Sequence, residues 1–496
     1  MATIKKRIPL NRVEGDLEIH LELNHDNEVT MARSVGTMYR GIENLMTGRG
    51  PMDSLVITPR ICGICTTAHL CAAAKALDMA CQVSIPVDAH RLRNATLMVE
   101  QVQNDLRHLF LLFMPDFTRP HYADHPLYAE AMARYQPLRG HTTIRTIQET
   151  KKLIEIIAIL GGQWPHSSFM VPGGVVSVPS GGDIAQCRHI LSGFRKWYEK
   201  QVLGCSLERW QAVDTWDGLQ AWVDEDAAHR YSELGFFLRL GQSTGMDRIG
   251  RGVDRFISAG GLEQPQPDGE TKPLFPAGIF SPAGVIPLDP QKITEDVACS
   301  FFKDTPGHPF ESRTLADPDT EDNRKYSWAK APRYDGQPAE TGPLADLLMA
   351  GNPLFVDWVR SRGASVLIRE LARMVRPAML LPALEQCISG MSHADAQFYT
   401  DTLKPLTASS FGMVTAPRGI LGHWLVIKDG KIANYQVITP TAWNGSPRDR
   451  HGTPGPWEQA IAGTRVRQPD DPVEVEQIVR SFDPCLVCTV HAIRLS

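Results

Sequence analysis

Four of the ten cysteines in this 496-residue chain come in two pairs, Cys62-Gly63-Ile64-Cys65 and Cys485-Leu486-Val487-Cys488. Two such pairs supply four thiolates, enough to close a metal site. Three residues advance a helix by about 300°, so a pair at a helix start keeps both sulfurs on one side. Soft thiolates select zinc, copper(I), iron–sulfur clusters or nickel over hard cations. On spacing alone, a structural four-thiolate zinc site is the commonest use of this pattern. The pairs lie about 420 residues apart, so the fold itself must unite them. The other six cysteines (Cys71, Cys81, Cys187, Cys205, Cys299 and Cys387) are scattered singly. They read as small buried hydrophobes, not as a disulfide scaffold.

The surroundings of each pair narrow the chemistry. His69 follows Cys65 by four residues on the same helical face, where it can donate to a thiolate from behind the metal. At the far end Asp483 and Pro484 precede Cys485, Asp483 as a helix cap and Pro484 as a first helical residue. Cys485, Cys488 and His491 then share about a third of the helix circumference. The segments Arg-x-Cys-Gly-x-Cys-x-x-x-His (from Arg60) and Asp-Pro-Cys-x-x-Cys-x-x-His (from Asp483) resemble the two signature motifs of nickel–iron hydrogenase large subunits. Arg12-Val13-Glu14-Gly15, Arg40-Gly41-Ile42-Glu43, Ala416-Pro417-Arg418-Gly419 and Thr441-Ala442-Trp443-Asn444 also resemble segments of that family, and the resemblance covers essentially the whole chain.

The resemblance implies a role for each matching residue. All four cysteines bind nickel, Cys62 and Cys485 as terminal ligands. Cys65 and Cys488 also bridge to an iron bearing CO and two cyanides. A bridging thiolate shares its charge between two metals, whereas a terminal one stays more basic. A terminal thiolate, Cys485 by resemblance, can therefore take the proton when dihydrogen splits heterolytically. Glu14 matches the glutamate that relays that proton, since a carboxyl in an apolar site exchanges protons nearer neutrality. Arg418 matches the arginine over the metals, donating to an iron-bound cyanide. Pro417 shapes the pocket, Thr441 donates to the other cyanide, and Asp483 pairs with or orients Arg418. Glu43 and His491, with the backbone carbonyl of Val437, match the ligands of a magnesium ion. Magnesium prefers oxygen, so the histidine rests on the resemblance alone. Without the family, Glu14 and Glu43 read as solvated carboxylates and Arg418 as a surface charge.

The chain departs from the family in places. The aspartate usual above the metals falls at Asn104, with Asp105 beside it, and one residue of register decides which points inward. Only Ala492 to Ser496 follow His491, where many members carry a longer peptide removed after nickel loading. Thr37–Gly41 and Phe113–Arg119 resemble the H2-sensing branch and its uptake relatives, whereas His69 is typical of catalytic members. No further grouped cysteines can hold an iron–sulfur cluster, so redox activity requires a partner that carries such clusters. By resemblance this is the iron–sulfur small subunit. Three readings stand open: a catalytic subunit that oxidises H2; an H2-sensing regulatory subunit that signals to a histidine kinase; and a structural zinc protein or metal-free relative.

Such a site needs a scaffold that joins the two chain ends. Ile8 to Ser34 alternates apolar and polar residues and reads as short strands. Thr66–Ala80 (with Thr66 as N-cap), Asp88–Phe113, Glu149–Leu160, Ile184–Val202 and Leu207–Asp226 read as helices. Gly260 to Glu340 is rich in Gly and Pro and reads as long loops around short strands. Leu344–Ser389 returns to helix, broken at Pro377. Met413–Ile438 is a hairpin turning at Asp429-Gly430, and Asp471–Val490 is helical with a break at Asp483-Pro484. The expectation is a mostly helical α+β protein, one compact domain over 1–496, with strands at both ends and the C-terminal hairpin near the metals. The charge of -5 shows no bias toward nucleic acid. No apolar run is long enough to cross a bilayer, and the N-terminus has no apolar core of a signal peptide. A cytoplasmic or partner-tethered membrane location is the corresponding expectation.

Overall fold

Three antiparallel strands open the chain, β1 (Ile4–Pro9), β2 (Leu17–Leu23) and β3 (Val29–Gly36), paired in that order. They are seen in a computed structural model, which describes residues 4–265, 271–318, 322–391 and 395–489, without the side chains of 265, 488 and 489. In β2 the alternation works as expected: Leu17, Ile19, Leu21 and Leu23 are buried and the residues between are half-exposed. Helix α1 (Thr66–Ala80) is buried along most of its length. Its N-cap is Cys65, not Thr66, which is the first helical residue. The free amides of its first turn are met from elsewhere: Thr67 N and Ala68 N donate to the two Glu100 oxygens at 2.8 and 3.0 Å. Burial pushes the Glu100 carboxyl up to about 7 against the pull of those amides.

Glu100 lies on α2 (Val87–Arg107). The helix continues as a π turn over His108–Phe113 and a 3-10 turn over Met114–Thr118, so Pro115 tightens the chain without stopping it. Helix α3 (His141–Gly161) begins at His141, ahead of the expected Glu149. Helix α4 (Gly181–Trp197) is closed by a Ser180/Asp183 capping box. The next expected helix is two short ones, Leu207–Gln211 and Trp216–Glu225. The middle segment forms small two- and three-stranded sheets and loops, as its composition implies.

The stretch from Leu344 to Ser389 is four helices: α5 (Pro343–Met349), α6 (Pro353–Arg362), α7 (Val366–Val375) and α8 (Pro377–Gly390). The break at Pro377 is present; Pro353 and Gly363 mark the two further breaks. Strands β4 (Ala408–Ala416), β5 (Gly419–Lys428) and β6 (Lys431–Ile438) form an antiparallel sheet, one strand more than the hairpin expected. Asp429 and Gly430 have φ of 50° and 69°, the left-handed pair that a type I′ turn demands. Pro417 and Arg418 are the two residues that turn β4 into β5. Helix α9 (Val473–Ser481) precedes the second cysteine pair, and a last turn of helix spans Leu486–Thr489.

One apolar cluster of buried residues runs from Ile8 to Leu486, and a smaller one gathers around Trp424 and Trp443. The fold is mostly α with small sheets. Among the described residues no helix is long and apolar enough to cross a membrane.

Candidate metal centre

The two chain ends meet through backbone. Glu14 N donates to Pro484 O at 3.3 Å and Leu486 N to Glu14 O at 2.6 Å, a parallel bridge that lays Glu14 beside Cys485. Gly15 permits the approach: with φ of 85°, any Cβ there would fall 2.8 Å from Val487 N. Arg40 crosses the same junction, its Nη2 donating to Ile61 O and, at 2.8 Å, to Val487 O. One guanidinium nitrogen thus ties the residue before Cys62 to the residue before Cys488.

The result is a cluster of sulfur. The Sγ atoms of Cys62, Cys65 and Cys485 all lie within 4.8 Å of one another, and Cys62 and Cys485 are 3.6 Å apart. All three residues are buried. The side chain of Cys488 and all of His491 lie outside the described residues. Cys485 N donates to Thr441 Oγ1 at 3.0 Å, so the Thr441 hydroxyl braces the cysteine backbone while its own proton stays available to a ligand.

Arg418 and Asp483 lie against this cluster. Arg418 Nε is 3.0 Å from Asp483 Oδ1, and both side chains are buried. Burial works against the Arg418 charge, but Asp483, then Cys485, Cys65 and Cys62, outweigh it and hold the guanidinium well above its ordinary value. Asp483 is held far below the usual carboxylate range: burial opposes its charge, and Arg418, His108 and Arg373 overcome that. Asp483 therefore caps no helix. Its φ of 55° turns the chain left-handed ahead of the helix that starts at Leu486, and its carboxylate is spent inside. The register question at Asn104 and Asp105 is answered by geometry. Asn104 Nδ2 donates to Asp483 Oδ2 at 2.7 Å, whereas Asp105 pairs with Arg376, which also donates to Pro417 O at 2.7 Å.

Glu14 is half-buried. Burial first, then Cys62 and Asp483, raise its pKa, with Arg418 pulling the other way. His69 is fully buried with Nδ1 3.1 Å from His423 Nε2, and His423 reaches Tyr435 OH at 2.8 Å. Burial lowers the His69 pKa to about 4, against the pull of Cys62 and with the help of Arg40. The ring is therefore neutral at pH 7, a single N–H donor.

Glu43 is buried in a second polar pocket. Its Oε1 accepts from Val437 N at 2.8 Å and its Oε2 from Thr314 Oγ1 and, at 3.2 Å, Lys330 Nζ. Lys330 also reaches Glu295 at 3.1 Å and Gln436 Oε1 at 2.8 Å. These groups surround a cavity of about 20 Å³, about the size of one water or ion. Their oxygens suit magnesium in kind, and Lys330 is the cation already among them.

The chain matches the family described as nickel-dependent hydrogenase over residues 40–133 and 237–491. The chain belongs to that family. It is 27% identical to the uptake hydrogenase large subunit of Afipia carboxidovorans over 97% of this chain and 94% of that one. It is 29% identical to the periplasmic [NiFeSe] hydrogenase large subunit of Desulfomicrobium baculatum over 98% and 94%. The solved structure of the H2-activated D. baculatum [NiFeSe]-hydrogenase aligns with a TM-score of 0.84 at 29% identity, covering 99% of this chain and all of that one. The present chain carries cysteine at all four motif positions. A nickel site needs a soft donor set, and the site offers one. The clustered sulfurs are the soft donors. Arg418 Nη1 and Nε are both buried against them with no hydrogen-bond partner among the described residues, although Nε has Asp483 as its ion-pair partner, so Nη1 is a donor open to a ligand.

Sequence reasoning missed the supports of this site. His108, Glu370 and Arg373 behind Asp483, Arg376 behind Pro417, and Glu100 beneath α1 were not singled out. A signal existed: Asn104, Asp105 and His108 are polar residues on a helix otherwise destined for the core, and α7 carries two arginines, Arg369 and Arg373, and ends at a third, Arg376. Polar residues in such positions need partners.

Proposed function

We propose that this chain is the catalytic large subunit of a nickel–iron hydrogenase that cleaves H2 heterolytically and passes electrons to an iron–sulfur small subunit. The observation that carries the reading is the meeting of Cys62, Cys65 and Cys485 within 4.8 Å beside Arg418 and Glu14. In this reading Cys62, Cys65, Cys485 and Cys488 would hold a nickel–iron centre whose iron carries CO and two cyanides. When bound, the metals supply the Lewis acidity that polarises H2 and the electron sink that accepts its electrons.

The protein's own residues do the rest. Arg418 offers Nη1 to an anionic ligand, and the Asp483 carboxylate, 3.0 Å from Nε, anchors its charge. Thr441 braces Cys485 and keeps its hydroxyl proton for a second ligand. Cys485, as a terminal thiolate, takes the proton at Sγ. Glu14, lying beside it with a raised pKa, receives that proton and passes it outward. His69, neutral, donates one N–H behind the cradle. Glu43 and the Val437 carbonyl, with His491, would hold magnesium in the pocket that Lys330 also lines.

The partner follows from cysteine usage, since no second cysteine group exists in the sequence for an electron-carrying cluster. The relatives named above are uptake and periplasmic hydrogenase subunits, which favours H2 oxidation; the sensory alternative with a histidine kinase has no support among them. The test is an infrared spectrum of the purified complex with nickel, iron and magnesium analysis. Metal-bound CO and cyanide bands with H2-dependent reduction of an artificial acceptor are expected. Zinc in the site with neither band overturns the reading.

A further inference from the structure

Five buried side chains of alternating charge run behind the metal centre. Arg418 Nε lies 3.0 Å from Asp483 Oδ1. His108 Nδ1 lies 2.9 Å from the same oxygen, and His108 Nε2 lies 3.2 Å from Glu370 Oε1. Arg373 Nη1 donates to Glu370 Oε2 at 2.9 Å and to Ser481 O at 3.2 Å, which returns the chain of charges to the turn that bears Asp483. No member is more than 4% exposed. His108 is the centre of the row. Nε2 is hydrogen-bonded to Glu370, and Nδ1 approaches Asp483 as a close ion pair, so the ring lies between two carboxylates, a setting that favours the imidazolium. Burial opposes that charge; Asp483 and Glu370 outweigh it, with Arg373 acting against them, and the His108 pKa is raised.

We infer that His108 is a positioning residue for H2 activation: it locks the Asp483 carboxylate in the orientation that holds Arg418 against the cysteine cluster. The inference rests on the role of Arg418 proposed above. The physical reason is rotation. A carboxylate paired with one cation is free to swing about its last torsion, which is broad and roughly two-fold. Asp483 is instead met by Arg418, by His108 and by the Asn104 amide at 2.7 Å. His108 follows Asn104 by one helical turn on α2, and it is the first residue of the π turn His108–Phe113. Single π turns inside helices are frequent at functional sites, where they re-aim side chains. Here the chain presents both the Asn104 amide and the His108 ring nitrogen to one carboxylate.

The test uses the full metal-loaded complex with His108→Asn, His108→Leu and Glu370→Gln. Asparagine puts an amide nitrogen near the place of Nδ1 and keeps the contact with Asp483; leucine keeps bulk and donates nothing. His108→Leu is expected to retain nickel, to shift the cyanide stretching bands and to lower turnover about 10–100-fold, the range typical of residues that orient ligands. The KM for H2 should change little. His108→Asn should keep bands and turnover near wild type. A leucine variant with wild-type bands and turnover overturns the inference, and so do asparagine and leucine variants that behave alike. If the leucine variant fails to assemble, Glu370→Gln decides, because it leaves the ring but removes its anchor. Shifted cyanide bands are then expected, and unshifted bands overturn the inference. A wild-type complex without those bands would instead take down the functional reading, and this inference with it.

Discussion

Arg376→Met should weaken the fold in a pH-dependent way, and the structure sets the size. Arg376 is fully buried and makes four hydrogen bonds: two to Asp105 at 2.9 and 2.8 Å, one to Asp346 at 2.7 Å and one to Pro417 O at 2.7 Å. Methionine fills the volume and leaves two buried carboxylates without their cation. Breaking a buried pair from one side costs about 3–5 kcal/mol. Burial already lifts Asp105 to about 6 and raises Asp346 despite Arg376. Without the arginine both rise further. A carboxyl whose folded pKa is raised favours the folded state only while it is protonated. Its contribution is therefore present below the unfolded value near 4 and is lost as pH climbs toward the folded value, at about 1.4 kcal/mol per pH unit for each group. Wild type stops losing stability through Asp105 near pH 6; the variant continues to lose it above that. The gap should be small at pH 5 and reach about 3–5 kcal/mol at pH 7.5. For a chain of this size, roughly 2 cal/mol/K of unfolding entropy per residue makes 1 kcal/mol worth about 1 °C in Tm. Thermal unfolding at pH 5, 6.5 and 7.5 should show the variant's Tm falling away from wild type by about 3–5 °C at the highest pH. A gap independent of pH, or one larger in acid, would refute the reasoning.

Other perturbations read the site directly. Cys485→Ala should abolish both nickel retention and H2 oxidation, checked by metal analysis and an acceptor assay; full activity would remove it from the ligand set. Glu14→Gln should keep the metals and slow H/D exchange, because the amide cannot carry a proton across the position where Glu14 meets Cys485. Arg40→Met should lower nickel occupancy in the folded chain, since the donor shared by Ile61 O and Val487 O is lost; unchanged occupancy would show that the backbone bridge at Glu14 suffices.

The legible parts of this protein were those where one residue type has one use. The Asp429-Gly430 turn, the alternating β2 and the two cysteine pairs each announce a geometry that few alternatives can satisfy. Helix boundaries were less legible where tertiary partners replace local signals. Cys65 heads α1 without a capping side chain because Glu100, from another helix, supplies both oxygens. Pro115 does not end its helix because the preceding π turn lets the chain tighten through it. Asp483 carries every local mark of a cap, yet its carboxylate is taken by Arg418, His108 and Asn104 from distant segments. The supports behind the site were illegible for the same reason. A buried charge declares that a partner exists, but its identity depends on packing that pairs residue 108 with 370 and 105 with 376.

The distance between the cysteine pairs also constrains the order of events. Cys62 and Cys485 are 423 residues apart in the chain and 3.6 Å apart in space. Closing a loop of that length costs roughly 5 kcal/mol of entropy. The shared apolar core offsets much of it, and further contacts are local to the junction: the bridge between Glu14 and the 484–486 backbone, the Arg40 tie and the Thr441 brace. Each hydrogen bond contributes about 1 kcal/mol net, so the junction contacts by themselves hold the last segment only modestly. The second half of the cradle is therefore the part of the fold whose docking most depends on what fills the cluster. Metal binding to the assembled thiolates adds its free energy to that docking. Loading should accordingly protect the backbone amides of Cys485 and Leu486 from hydrogen exchange far more than those of the Cys62–Cys65 loop, whose own helix is already held by Glu100.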